Sequence, residues 1–203
     1  SVESGLMEAA GRELNRGFFS RIERGRPWIR IKLAMSLDGR TALASGESKW
    51  ITSEASRADV QRWRARSGAL LTASGTVLAD DPQLTARLPE GEECISPLRV
   101  VLDSRGRLTA RERIFDDSAP TLAVHAVDMV PGYGDDIDAI AVPREHGRLD
   151  LPAMLSQLAE RGINELQVEA GATLCGALLK AGLMDELLLY IAPVLLGERG
   201  RPL

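Results

Sequence analysis

Lysine is scarce in this chain: nearly all cations are Arg, and the lysines are Lys32, Lys49 and Lys180. Two of the three fall in one stretch, IRIKLAMSLDGRTALASGESKWIT (residues 29–52). It breaks at Asp38-Gly39 and again at Ser45-Gly46, dipeptides that suit tight turns because Gly accepts positive φ. The run Ser48-Lys49-Trp50-Ile51-Thr52 then brings hydroxyls, a cation and an indole together, the make-up of a small-molecule site wall. Far along the chain, Glu169-Ala170-Gly171-Ala172-Thr173-Leu174 places an acid and a glycine where a strand passes into a helix. Free amides at such a helix start attract anions. The turn lacks the three-glycine dinucleotide fingerprint and the GK[ST] of a P-loop, and it reads equally well as an ordinary tight connection. A third segment, Asp80-Asp81-Pro82 followed by Leu84-Thr85-Ala86-Arg87, sets acids, an apolar residue and an Arg on one loop. Singly these residues are ambiguous: Lys32 also reads as a solvated-face cation, Glu169 as a helix-capping acid and Trp50 as plain core.

Composition narrows the chemistry. At 203 residues and a net charge of −4, with dispersed cations, the chain points to one domain and away from a nucleic-acid surface. No apolar run approaches a membrane span and the first residues lack a signal pattern, so a cytoplasmic protein is expected, with no membrane partner. Cys94 and Cys175 are single cysteines, and neither His125 nor His146 has a ligand partner nearby in sequence, so no metal is expected.

The elements that would position these residues alternate. Residues 1–26 read as one short amphipathic linker helix with Leu6, Leu14, Phe18, Phe19 and Ile22, ending at Gly25. Ile29, Ile31, Leu33 and Met35 alternate with Arg30, Lys32 and Ala34, the pattern of a half-buried strand. A helix over about 54–66, capped by Thr52 or Ser53, turns Val60 and Trp63 to the core. Of its Arg57, Arg62, Arg64 and Arg66, most read as solvated. Strands follow at 69–72, 99–103, 122–127, 139–142, 166–168 and 186–192. A single helical turn at 77–81 and helices at 151–161 and from Gly171 to Ala181 fall between them. This is an α/β sheet with layers on both faces, whose ligands bind beyond the strand carboxyl ends. Ser36, Ser74–Thr76, Ser104 and Glu169–Gly171 fall at such ends, so one crevice is expected to collect them.

IKLAMSLDGRTALASGESKWIT, VLADDPQLTAR and VEAGATLCGALLKAGLMDELLLYIAPVLLG, in that order and spacing, resemble the reductase domain of the bifunctional riboflavin-biosynthesis deaminase-reductase. The segment LNRGFFSRIERGRPWI is similar to that family's interdomain linker. The zinc-site signatures H-x-E and P-C-x-x-C of the family's deaminase are absent from this chain. The resemblance implies a dihydrofolate-reductase-like α/β fold over residues 27–203, a homodimer, an upstream deaminase in the natural chain and NADPH as hydride donor. It implies reduction of the ribosyl group of a phosphorylated pyrimidine, 5-amino-6-(5-phosphoribosylamino)uracil, to the ribityl product. Carried over position by position, cofactor contacts fall on Ala34, Trp50, Thr76, Asp80, Ser104, Gly171, Ala172, Thr173, Leu174, Cys175, Gly176 and Ala177. Substrate contacts fall on Ser48, Arg64, Leu84, Arg87 and Glu169. Lys32 and Glu169 match the polar residues facing the reacting ribose, the pair expected to shuttle the proton. Arg64 and Arg87 offer forked donors for the substrate phosphate. The family continues into a further C-terminal strand, so an incomplete C-terminal end is also expected. Two rival readings are a relative acting on another pteridine or pyrimidine such as dihydrofolate, and a non-catalytic nucleotide-binding module.

Overall fold

Seven parallel strands form the centre of the molecule, a computed structural model that describes residues 2, 4–48 and 51–202. In chain order the elements are α1 (Glu8–Leu14), α2 (Arg16–Arg24), β1 (Trp28–Ser36), β2 (Arg40–Ala42), α3 (Glu54–Arg66), β3 (Ala69–Ala73) and α4 (Ser74–Asp80). Then come β4 (Leu98–Leu102), a 3-10 turn (Arg113–Phe115), β5 (Thr121–Ala126), β6 (Ala139–Val142), β7 (Arg144–Glu145) and β8 (Arg148–Leu149). Last are α5 (Leu151–Glu160), β9 (Glu165–Val168), α6 (Ala172–Lys180), β10 (Glu186–Ala192) and β11 (Arg201–Pro202). The main sheet runs β10-β1-β9-β3-β4-β5-β6. The chain lays down β1, leaves a gap, builds outward from β3 to β6, and returns to fill the gap with β9. A strand inserted late between β1 and β3 brings its carboxyl end to the middle of the sheet, where ligands of open parallel sheets bind.

Both faces are covered. Ile31, Leu71, Val100, Leu122 and Val168 pack against Met154, Leu155 and Leu158 of α5 and Leu174 and Leu178 of α6. One residue out of phase, Leu70, Val101 and Ala123 turn to the other face, where Val77 of α4, Leu84, Leu108, Ile114 and Tyr133 cover them. This two-sided burial explains why these strands read as continuous apolar runs. It also corrects the half-buried expectation for β1. Arg30 is 1% exposed, because β1 lies inside the sheet between β10 and β9. Its guanidinium reaches Glu165 and Glu186 at 3.1 Å each and stacks 4.2 Å from the Trp63 ring centroid. Trp63 therefore stands between the Arg30 and Arg66 guanidiniums and does not enter the apolar core.

The linker segment also differs from expectation. It forms two short helices that meet at Asn15, and Leu6, Leu14 and Ile22 are largely exposed. What faces the domain is small: a Cβ on Gly17 would lie 2.9 Å from the Asn164 carbonyl oxygen, and Ser20 donates to the Arg26 carbonyl. The helix ends at Gly25 in the left-handed region, as expected. Sequence patterning gives no sign of β2, β11, β7 or β8. The latter two form a small hairpin, and β2 pairs antiparallel with β11 in a separate two-stranded ribbon. Asp38 pins that β2–β11 ribbon. Its carboxylate accepts from Ser36 Oγ and from the amides of Leu196 and Gly197, which hold its pKa down at about 2.

Candidate active site

Two clefts open over the carboxyl ends of the strands, divided by the β9–α6 turn. The larger, about 1040 Å³, is bounded by β2, by the ends of β3, β4 and β5, by the β7–β8 hairpin and by the start of α6. The smaller, about 450 Å³, is lined by Lys32, Thr52, Arg57, Gln61, Arg64, Arg87, Glu169 and Tyr190, among others. Glu169 faces the small cleft and Gly171 the large one, two residues apart on one turn. A second seam lies in the chain between β2 and α3: Ser48 lines the large cleft and Thr52 the small one. The single expected crevice is thus a pair of adjoining ones, and Ser36 belongs to neither. Its hydroxyl closes the β1–β2 turn through Asp38 and Arg40.

The large cleft gathers Thr76, Asp80, Ser104, Gly171, Thr173, Leu174 and Ala177 from the expected cofactor set, together with Ser48 from the substrate set. Ala34, Ala172, Cys175 and Gly176 line neither cleft. Cys175 is buried, with its Sγ toward the Ala170 carbonyl at 3.3 Å. Trp50, like Lys49, lies outside the described residues. Gly171 has an ordinary φ of −74°, so positive φ is not what the position needs. A Cβ there would meet nothing within 4 Å and would project into open cleft space. No side chain caps α6, which leaves its first amides to an incoming anion. This cradle fits a nucleotide pyrophosphate. Gly171→Val is accordingly expected to weaken dinucleotide binding at least about tenfold by filling the cradle, while circular dichroism stays unchanged. Calorimetry of nucleotide binding checks it, and undiminished affinity would place the pyrophosphate elsewhere.

The small cleft is built around one ion pair. Arg64 Nε donates to Glu169 Oε1 at 2.6 Å and its Nη2 to Oε2 at 2.8 Å, with both side chains 12% exposed. Gln167 Nε2 adds a bond to Oε1 at 2.9 Å. Burial alone would push the Glu169 carboxyl up, but the Arg64 guanidinium, with smaller help from Lys32 and Gln167, holds it below the ordinary carboxylate range. Glu169 is therefore an ionised acceptor at neutral pH. With three bonds made, Oε2 keeps an acceptor position open out of the roughly four a carboxylate offers.

Arg64 also donates through Nη1 to the Thr85 carbonyl at 2.9 Å. Three of its five N–H donors are thus engaged by protein groups, which orient Glu169 and the 83–87 loop, and two remain on a residue that lines the small cleft. Arg87 is exposed at the cleft wall, with its amide held by Gln61 Oε1 at 2.9 Å. Leu84 sits in that loop at φ +54°, and its side chain is only 4% exposed, within the core. It lines neither cleft. The strained loop is clamped from below by Arg99, fully buried, which bonds the Gln83 carbonyl, Asp116 and the Ala119 carbonyl. Asp116 in turn accepts from Ser118, Gln83 and Arg99, which hold its carboxyl far below the usual range.

Lys32 reaches the small cleft from β1, with Nζ 5.8 Å from the Tyr190 ring centroid. Among the described residues no ion pair joins it to Glu169 within 4 Å, so the two bracket a gap. Tyr190 donates to Asp59 at 2.6 Å, and burial, followed by Asp59, raises its pKa. Neither residue stood out in the sequence. Tyr190 lies in the apolar run of β10, and only the parallel register that sets it beside Ala34 brings it to Lys32. Among the described residues no cluster of His, Cys, Asp or Glu is arranged to hold a metal, and no helix is long and apolar enough to cross a membrane.

A central parallel sheet with a large anion-accepting cleft and a smaller charged one, both over strand carboxyl ends, defines an α/β nucleotide-binding domain of the open-sheet kind. A model of the RibD C-terminal domain matches residues 27–203. Riboflavin biosynthesis protein RibD of Escherichia coli (strain K12) is 46% identical over 212 residues, covering 100% of this chain and 58% of its own length. The structure of Acinetobacter baumannii RibD, form 2, aligns with a TM-score of 0.85 at 38% identity, over 100% of this chain and 56% of that one. A Thermotoga maritima protein described as a diaminohydroxyphosphoribosylaminopyrimidine deaminase/5-amino-6-(5-phosphoribosylamino)uracil reductase aligns with a TM-score of 0.83 at 29% identity, covering 98% and 53%. The chain belongs to the RibD C-terminal domain family, and it spans little more than half the length of these relatives.

Proposed function

We infer that this chain is the reductase unit of riboflavin biosynthesis. It reduces the ribosyl group of 5-amino-6-(5-phosphoribosylamino)uracil to the ribitylamino product with NADPH as hydride donor. The observation that carries this reading is the division at the β9–α6 turn: a dinucleotide-sized cleft on the Gly171 side adjoins a charged pocket on the Glu169 side. A nicotinamide cofactor in the large cleft supplies the hydride. The protein's own groups do the rest. Lys32 supplies a proton to the opened sugar as C1′ is reduced. Glu169, ionised, accepts a sugar hydroxyl through the open position on Oε2 and fixes the chain of the ribose between itself and Lys32. Arg87, on the rigid 83–87 loop, receives the substrate phosphate. Residues 27–203 form this unit and residues 1–26 the linker to an upstream deaminase, in a cytoplasmic homodimer. Exposed Leu187 and Ile191 on the sheet-edge strand β10 support the pairing of two copies.

The test is the loss of reduced-nicotinamide absorbance on adding the pyrimidine substrate to the purified chain. No oxidation with that substrate, but turnover of dihydrofolate, would move the activity to the rival class. Arg87→Ala is expected to weaken substrate binding by about 1.5–3 kcal/mol, the worth of one charge-assisted hydrogen bond, with cofactor affinity unchanged. Titration calorimetry with each ligand checks this. Equal loss of both affinities would show Arg87 to be a structural residue.

A further inference from the structure

One helix, α3, ties down both walls of the small cleft. Its Arg64 holds Glu169 on the β9 side. Nearer its start, Asp59 accepts a hydrogen bond from the Tyr190 hydroxyl of β10 at 2.6 Å. Lys32 stands between these walls on β1, the strand flanked by β9 and β10. The parallel register pairs Lys32 with Leu188 and Ala34 with Tyr190, so Lys32 and Tyr190 are diagonal neighbours on one face of the sheet. The Lys32 ammonium lies over the Tyr190 ring, 5.8 Å from its centroid, within reach of a cation–π contact. Among the described residues it has no ion-pair partner within 4 Å, although an ionised carboxylate lines the same cleft. Two features keep it there. Glu169 is already neutralised by Arg64, which weakens its pull on a second cation. Asp59, as acceptor for the phenol, fixes the ring and enriches its π face.

We propose that Tyr190, locked by Asp59, is a positioning residue: its ring holds the Lys32 ammonium off Glu169 and keeps the gap between them open for the substrate's sugar. The proposal rests on the reading of the small cleft as the sugar site. A long, flexible lysine beside a carboxylate would otherwise close on it, and the two groups would cancel in the space the sugar has to fill. A cation–π contact and a partly exposed ion pair are of similar worth. With the ring on one side and the carboxylate on the other, an arriving hydroxyl can draw the ammonium forward at little cost. Tyr190 supplies a face and not a proton, because burial, and then Asp59, push its pKa up.

Scarcity of lysine makes the test direct. In protein labelled at the lysine ε-methylene, the NMR spectrum holds only the signals of Lys32, Lys49 and Lys180, and Lys32→Ala shows which one is Lys32. Ring current should place the Lys32 ε-protons upfield of the other two. The shift should vanish in Tyr190→Leu, persist in Tyr190→Phe and weaken in Asp59→Ala. Single-turnover oxidation of NADPH by 5-amino-6-(5-phosphoribosylamino)uracil should slow about threefold to thirtyfold in Tyr190→Leu, the worth of a cation–π contact. Tyr190→Phe, which keeps the ring, should recover most of that loss. If Tyr190→Leu does not fold, Asp59→Ala carries the test, with a weakened shift and a slowed turnover expected together. A Lys32 signal without a ring shift in the unsubstituted chain, or a shift that survives Tyr190→Leu, would overturn the proposal. So would a lost shift with an unchanged rate, since the contact would then be packing alone. No turnover by the unsubstituted chain, with the ring shift present, would instead sink the functional reading on which the proposal rests.

Discussion

Lys32→Ala is expected to slow hydride transfer by at least about a hundredfold, the lower end of what general acid–base help contributes, while the protein stays folded. Lys32 stands half-buried on β1, the strand next to the β10 edge of the sheet, facing a gap whose far side is the Glu169 carboxylate. With the Arg64 guanidinium favouring the ionised form of Glu169, the proposed function leaves Lys32 as the proton source for the opened sugar. Its loss should lower kcat and kcat/KM together, the mark of an interaction made in the transition state. Lys32→Arg separates charge from proton supply, since guanidinium keeps its proton in proteins. It should restore substrate affinity without restoring rate. Single-turnover oxidation of reduced nicotinamide at saturating substrate is the measurement, with a thermal melt beside it. A normal single-turnover rate in Lys32→Ala would end the assignment. A lowered melting temperature with normal chemistry would make Lys32 a structural cation.

The parallel architecture was legible because its signals are local. α3 and β6 fall where periodicity places them, and α5, α6 and β10 to within a residue. What patterning could not carry was pairing. Arg30 read as part of the polar face of a half-buried strand, because nothing local says that β9 and β10 flank β1 or that Glu165 and Glu186 await its charge. Arg64 was one of four arginines on a helix, and its partner Glu169 lies 105 positions away. Leu84 matches a substrate position by resemblance, yet its side chain is core, a fact visible only in its positive φ and burial.

Glu169→Gln should abolish most activity and also destabilise the protein, two effects with one cause. The substitution keeps shape and removes charge, leaving the Arg64 guanidinium almost buried without its carboxylate. Breaking one partner of a buried pair costs about 3 kcal/mol, and in a domain of this size that lowers the melting temperature by roughly 6–12 °C. The sign with pH follows from the lowered carboxyl. Glu169 contributes stability above the ordinary carboxylate pKa and loses it as pH falls through its depressed folded value. Acid unfolding of the unsubstituted protein should therefore steepen below about pH 4.5, and Glu169→Gln should flatten that part of the curve. Reciprocal removal, Arg64→Met, is expected to cost similar stability, because it leaves the carboxylate buried and alone. With no guanidinium to hold it ionised, Glu169 would take up a proton more readily, and activity should then rise with pH where the unsubstituted protein's profile is level. Comparing the pH–rate profiles of the two proteins decides the point. An unshifted profile in Arg64→Met would mean that Arg64 does not set the charge of Glu169.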